Sequence, residues 1–356
     1  MFELRKNKKR ILAVICALLL CLSLLCSCGK DEPQGSSGNA GTASHTAQSG
    51  ASEVKDIYEL PVFEDLPETY ADITPAFWKA ENPNGGVMYL LGSIHVGDKS
   101  AYRMPQQIMD AYLASDSLTV EVDTIALVDD EARMESCKVL TTYPDGDNLK
   151  NHIDPLLYEE IVEFLQTYSD DPEVISRLKN RMPCTWLTEL GAIDEAASGL
   201  SADYGIDDYF LKLAHAQGKE IIEIESAESQ YNTLNSIPDM AYEYLLGMYI
   251  QTPDTLGLEI RQLYEEWKAG TIQSTTDPAE DAAAIEEDPF GFAAAIAEYN
   301  RVTFTDRNVT MANAAKSYLE DGKNVFFVVG TEHLLGSTGV IASLEAEGYK
   351  VTRIEY

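Results

Sequence analysis

Two short segments, far apart in the chain, repeat one pattern: Tyr89-Leu-Leu-Gly-Ser-Ile-His-Val-Gly97 and Val328-Val-Gly-Thr-Glu-His-Leu-Leu-Gly336. In each, an apolar run of strand character ends in Gly-x-x-His, and another glycine follows within three residues. A histidine therefore stands on a tight turn at a strand's end, where α/β sheets place ligands. Gly92 and Gly330 permit the turn and let a ligand approach the backbone closely. One such spacing is weak, because glycine is common; two of the five histidines sharing it is a stronger signal.

Between these segments, Thr119-Val-Glu-Val-Asp123 and Ile222-Glu-Ile-Glu-Ser226 read as strands that finish in carboxylates. The chain order is histidine strand, acid strand, acid strand, histidine strand. This order predicts a pseudo-symmetric core whose strand ends bring His95, His333 and one or two acids, Glu121 foremost, to one cleft. Neutral imidazoles with a carboxylate suit a first-row divalent metal with open positions. Spacing alone leaves open satisfied strand-end histidines and solvent-facing acids.

The rest of the folded part alternates strands and helices. Strands are predicted over 76–80 and 87–91, joined by the turn Asn82-Pro-Asn-Gly-Gly86, with a helix over 105–113. Residues 124–199 carry helical periodicity punctuated by Pro144, Pro155 and Pro183, and read as a helical insertion. Another helix begins at Gly205 and is closed by Gly218, a strand spans 219–225, and a helical block extends to Gly270. The acidic, Ala-rich stretch 271–288 lacks an apolar stripe and reads as a solvated loop. Helices at 304–319 and 339–347 and strands at 324–329 and 349–355 complete an α/β fold, a central mixed sheet flanked by helices.

The N-terminus carries Arg5, Lys6, Lys8, Lys9 and Arg10 and then runs apolar from Ile11 to Leu25, as a secretory signal does. That run falls short of the about 20 residues a spanning helix needs. Leu25-Cys26-Ser27-Cys28-Gly29 resembles a bacterial lipobox, with Cys28 as the residue to be lipidated. The alternative is an uncleaved anchor helix; in either case the domain is expected outside the membrane. Gly29 to Glu53 contain no Val, Ile, Leu, Met or aromatic residue, so nothing there offsets the entropy of ordering. The expected organisation is a lipoprotein signal over 1–27, lipidated Cys28 with a tether to residue 53, and one domain over 54–356.

A formal charge of −33 argues against a nucleic-acid partner, which requires clustered Lys and Arg. Four of the six cysteines lie in the first 28 residues, leaving Cys137 and Cys184, too few for a disulfide scaffold or a Cys-type zinc finger. His45, His152 and His215 need no function, and Trp78, Trp186 and Trp267 read as core or rim aromatics.

Taken together, the two Gly-x-x-His segments, Glu121-Val-Asp123, Gly205-Ile-Asp207, Ile224-Glu-Ser-Ala-Glu-Ser-Gln230, Arg307-Asn308 and the terminal Gly348-Tyr349 resemble the TraB/PrgY/GumN family, which is related to the Tiki metalloproteases. The resemblance covers about residues 72–356 and implies the fold group of the Tiki, erythromycin-esterase-like and ChaN-like proteins, with two pseudo-repeated strand-Gly-x-x-His units. It assigns His95, His333 and Glu121 to a metal or catalytic centre holding Mn, Co or Zn. Arg307 becomes a clamp for a substrate carboxylate or an oxyanion, and Asp207 and Glu225 become supporting residues. Glu332 ranks below Glu121 as a general base. The function so implied is a lipid-anchored, extracytoplasmic metal-dependent hydrolase acting on a peptide or small molecule. A non-catalytic, pheromone-like peptide binder is the alternative.

Overall fold

The computed structural model describes residues 67–356 without Asn84 and Thr252, so the signal segment, Cys28, the tether and His45 lie outside the described residues. Six strands form one mixed sheet: β1 (Phe77–Glu81), β2 (Val87–Ser93), β3 (Ser117–Val120), β4 (Glu220–Glu223), β5 (Asn324–Gly330) and β6 (Lys350–Arg353). Their spatial order is β4-β3-β5-β2-β1-β6. The four strands β4, β3, β5 and β2 are mutually parallel, whereas β1 runs antiparallel to both β2 and β6. The last strand in sequence but one, β5, therefore lies between β2 and β3, and all four parallel strands end on the same edge.

Burial follows the strand period of two. On β5, Phe326 and Val328 face one side, with Leu118 and Val120 of β3. They pack against α1 (Gln106–Ala114), α7 (Ile206–Gln217) and α10 (Leu258–Lys268). Val325, Phe327 and Val329 face the other side, against α13 (Asp306–Glu320) and α15 (Val340–Ala346). Coverage on both faces explains why β5 reads as a continuous apolar run rather than an alternation.

The expected helical insertion consists of α2 (Thr124–Asp129), α3 (Glu131–Leu140), α4 (Pro155–Tyr168), α5 (Val174–Leu178) and α6 (Pro183–Ser198). Its apolar cluster is completed by later elements, α8 (Ala227–Asn235), α9 (Asp239–Ile250) and α12 (Phe292–Asn300), so the cap is assembled from separated stretches. Among the described residues no helix is long and apolar enough to cross a membrane.

Two expectations are corrected. The stretch 271–288 is not all loop, because Pro278–Glu287 forms α11. Asp277 caps its first turn by accepting from Ala279 N–H, Pro278 starts it, and none of its residues is buried. Capping and alanine propensity, rather than an apolar face, sustain this helix. The acid strands also end early: β3 stops at Val120 and β4 at Glu223, so Glu121 and Glu225 stand just past the sheet. There the pairing continues as two bonds at 3.0 Å, Ile224 N–H donating to Val120 C=O and Glu225 N–H to Glu121 C=O.

Candidate functional site

The register of β2 on β5 sets Ser93 opposite Gly330, so both histidine turns leave the sheet at one level. Thr331 Oγ1 donates to Ser93 C=O at 2.8 Å, tying one turn to the other. The Gly330 backbone lies where three side chains meet. A Cβ added there would sit 3.4 Å from Glu121 Oε1, 3.5 Å from His333 Cδ2 and 3.8 Å from His95 Nε2. His333 Nε2 is 3.9 Å from Glu121 Oε1. The three residues singled out from the sequence are thus brought together and buried, at 7 %, 6 % and 1 % exposure for His95, Glu121 and His333.

Each imidazole is oriented from behind. Asp207, in the first turn of α7, accepts from His95 Nδ1 at 2.9 Å. Asn308 on α13 donates through its amide nitrogen to Thr338 C=O, which leaves its oxygen to accept from His333 Nδ1 at 2.6 Å. Both rings are thus anchored through Nδ1, which leaves His95 Nε2 facing Gly330 and His333 Nε2 facing Glu121. Burial, together with the Arg307 charge, pushes His333 down to about 4, so it is neutral at pH 7.

Burial alone would raise the Glu121 carboxyl, but the Arg307 guanidinium, the two histidines and the Gly330 N–H hold it well below the usual carboxylate range. Gly330 N–H donates to Oε1 at 2.8 Å, and Arg307 Nη2 donates to Oε2 at 2.6 Å. Arg307 also forms three bonds to Glu225, from Nε at 2.9 Å to Oε1 and 3.2 Å to Oε2, and from Nη2 at 2.7 Å to Oε2. Gln230 on α8 bridges Glu225 and Glu121. A π-helical turn at Arg301–Thr305 precedes Arg307, and the Thr303 carbonyl in it accepts from Arg307 Nη1 at 3.2 Å. Such turns shift helix register by a residue and recur at functional sites.

Glu332, adjacent to His333, faces elsewhere. Its Oε1 receives five bonds from Ser274, Thr275 and Thr276, pinning the irregular segment that leads into α11. Burial raises its carboxyl above the ordinary value. His215 pairs with Asp123 and His152 with Asp147 and Asp239, all away from Gly330. Cys137 and Cys184 are buried free thiols. Two participants had no assigned role in the sequence reading, Asn308 and Gln230; each lies inside a stretch that resembles the family, and the one available signal was adjacency to Arg307 and Glu225.

The TraB/PrgY/gumN family model matches residues 76–353. This chain belongs to the TraB/PrgY/gumN family. Within curated proteins, this TraB-family chain is 28% identical over 158 residues to the uncharacterized protein YbaP of Escherichia coli (strain K12), covering 44% of this chain and 55% of that protein. A Shigella flexneri protein of the same name matches equally. Similarity to the metalloprotease TIKI2 of Danio rerio is 22% over 357 residues, 83% of this chain and 64% of that one. The chain spans about half the length of the YbaP proteins it matches. No solved structure matches.

Among the described residues no three His, Cys, Asp or Glu side chains are already set as a metal-ligand group. The donor set nevertheless fits a divalent ion. Two imidazoles bonded at Nδ1, to Asp207 and Asn308, leave Nε2 for a space bounded by a carboxylate oxygen and by a glycine without a side chain to fill it.

Proposed function

We propose that this TraB-family chain is a metal-dependent hydrolase of peptides, held on the outer face of a membrane by lipid on Cys28. The observation that carries the reading is the meeting of His95 Nε2, the His333 ring and Glu121 Oε1 around Gly330. The Tiki-like similarity supports it, as do the paired Gly-x-x-His turns, which in this reading are two halves of one ion site. His95 and His333 would hold the ion, with Glu121 as third ligand or general base. Bound there, a divalent ion supplies Lewis acidity toward a scissile carbonyl and acidifies water. Asp207 and Asn308, bonded to the two Nδ1 atoms, keep each ring aimed. Arg307, spent on Glu225 and Glu121, would hold the Glu121 carboxylate in place rather than clamp a substrate anion.

The test is a double-mutant cycle of His95→Ala and His333→Ala, read by titration with Mn²⁺, Co²⁺ and Zn²⁺ and by hydrolysis of a peptide library. A shared site predicts that either single change abolishes tight binding almost as completely as both. Additive stability losses with unchanged ion uptake would sink the reading. A second reading, a non-catalytic peptide binder, is favoured by one feature: both Glu121 oxygens are already engaged, by Gly330 N–H and by Arg307. Peptide binding without ion uptake or cleavage selects that reading. For the anchor, Cys28→Ser in the native host should leave an unlipidated precursor; normal lipid labelling of that variant would remove it.

A further inference from the structure

A groove of about 620 Å³ opens beside the charged cluster, and Glu225 and Arg307 form part of its lining. One wall is the face of α8 and its flanks carrying Ser226, Ser229, Thr233 and Ser236. The other is the π turn and the start of α13, with Val302, Asp306 and Thr310. Ile224 and Glu225, directly after the edge strand β4, run along it. Its volume lies within the range of about 300–1,000 Å³ usual for ligand clefts.

We infer that this groove receives the substrate chain as an extended, unbranched peptide segment of neutral to basic character, seated with one end at the Arg307–Glu225 pair that adjoins Glu121. The inference deepens the hydrolase reading and rests on it. Length follows from helix geometry: Ser226 to Ser236 span about 15 Å at about 1.5 Å per residue, which accommodates about four to five extended residues at about 3.3 Å each. Chemistry follows from the lining. Ser and Thr hydroxyls present acceptor lone pairs to backbone N–H groups, and no aromatic ring is there to stack on a sugar. Neither guanidinium is left for an anionic ligand. Arg307 is committed to Glu225 and Glu121, and Arg301 to Glu298 and Asp306. With the groove's two arginines balanced by two carboxylates, the chain's overall −33 charge favours cationic over anionic peptides.

The experiment uses the full chain in EDTA, so that binding is read without turnover, and two fluorescein-labelled pentapeptides, Ala-Ala-Lys-Ala-Ala and Ala-Ala-Glu-Ala-Ala, followed by anisotropy. Thr233→Tyr and Ser236→Tyr each fill the groove from the partly exposed face of α8 and its C-terminal flank, with Leu156→Tyr on α4 as a remote control. Expected are tighter binding of the Lys peptide and a loss of about tenfold or more in both groove variants, with the control and all melting curves unchanged. Absence of saturable binding, or equal binding by wild type and both groove variants, overturns the inference. In protein incubated with Mn²⁺, Co²⁺ or Zn²⁺, loss of peptide binding by Thr233→Tyr together with no ion uptake by the wild type fails the hydrolase reading and leaves the groove standing. Cleavage with unchanged KM in Thr233→Tyr fails the groove and leaves the hydrolase.

Discussion

The two histidine turns share a sequence pattern and a level on the sheet, yet they are built differently. The β2 turn hands His95 to a carboxylate, Asp207, whereas the β5 turn hands His333 to an amide, Asn308, and seats its ring beside Phe304 at a 5.5 Å centroid distance. A carboxylate partner makes an imidazole more basic; an amide only orients it. The glycines differ as well. A Cβ on Gly92 would meet Thr331 Oγ1 at 2.6 Å and the Thr331 Cα at 3.0 Å, whereas on Gly330 its nearest neighbour would be 3.4 Å away. The first glycine serves packing between turns, and the second keeps the shared space open.

The largest expected effect tests that contrast directly. Gly330→Ala should reduce ion affinity by about 100-fold or more while the melting temperature hardly moves, because its Cβ would enter the space the proposed ion needs at ordinary contact distances from its neighbours. Gly92→Ala should do the reverse, costing about 1–3 kcal/mol through overpacking with ion uptake retained in the folded protein. Ion titration beside thermal melts of both variants decides, and the opposite pattern would break the comparison. Next in size, Asp207→Asn and Asn308→Ala should each weaken ion binding by about 10–100-fold. The Asp207 change should be the greater, since it alone removes a charge that raises ligand basicity; equal losses would reduce both partners to orienting groups.

The third expectation concerns pH. The unfolded chain protonates His333 at about 6.5, but the folded chain does so only at about 4. Between these values the unfolded state binds the extra proton, so stability falls as pH drops through that window, by at most about 3 kcal/mol. Urea unfolding at several pH values should show this slope in the wild type and its loss in His333→Gln; an unchanged slope assigns it to other groups. Smallest is Glu332. Glu332→Gln keeps an acceptor for the 274–276 segment and should change stability by about 1 kcal/mol or less, whereas Glu332→Ala strands those donors at about 1–3 kcal/mol. Neither should alter ion affinity, and a marked loss in Glu332→Gln would return Glu332 to the site.

Much of the site was legible because its signals are local. Apolar runs closed by Gly-x-x-His mark strand ends without any knowledge of the fold, and Glu121 follows a short β-rich run in the same way. Helix α11 was not legible as a helix, because it has no buried face and stands on its cap and its alanines. The partners that decide how each residue behaves were not legible either. Arg307 is 186 positions from Glu121 along the chain and 82 from Glu225, and nothing in its neighbours in sequence indicates that its guanidinium is spent on both.

The sequence by itself determined the α/β alternation, the paired turns, the candidate His95, His333 and Glu121, and the family, since each rests on residues within a few positions of one another or on their order. Only the tertiary structure decided that β5 lies between β2 and β3, which sets Ser93 against Gly330. It alone gave the two histidines different partners and placed a groove beside Arg307. The physical reason is that strand order, and the burial that shifts a pKa, are properties of contacts between segments from 25 to more than 200 residues apart, where the local pattern of a sequence carries no distance.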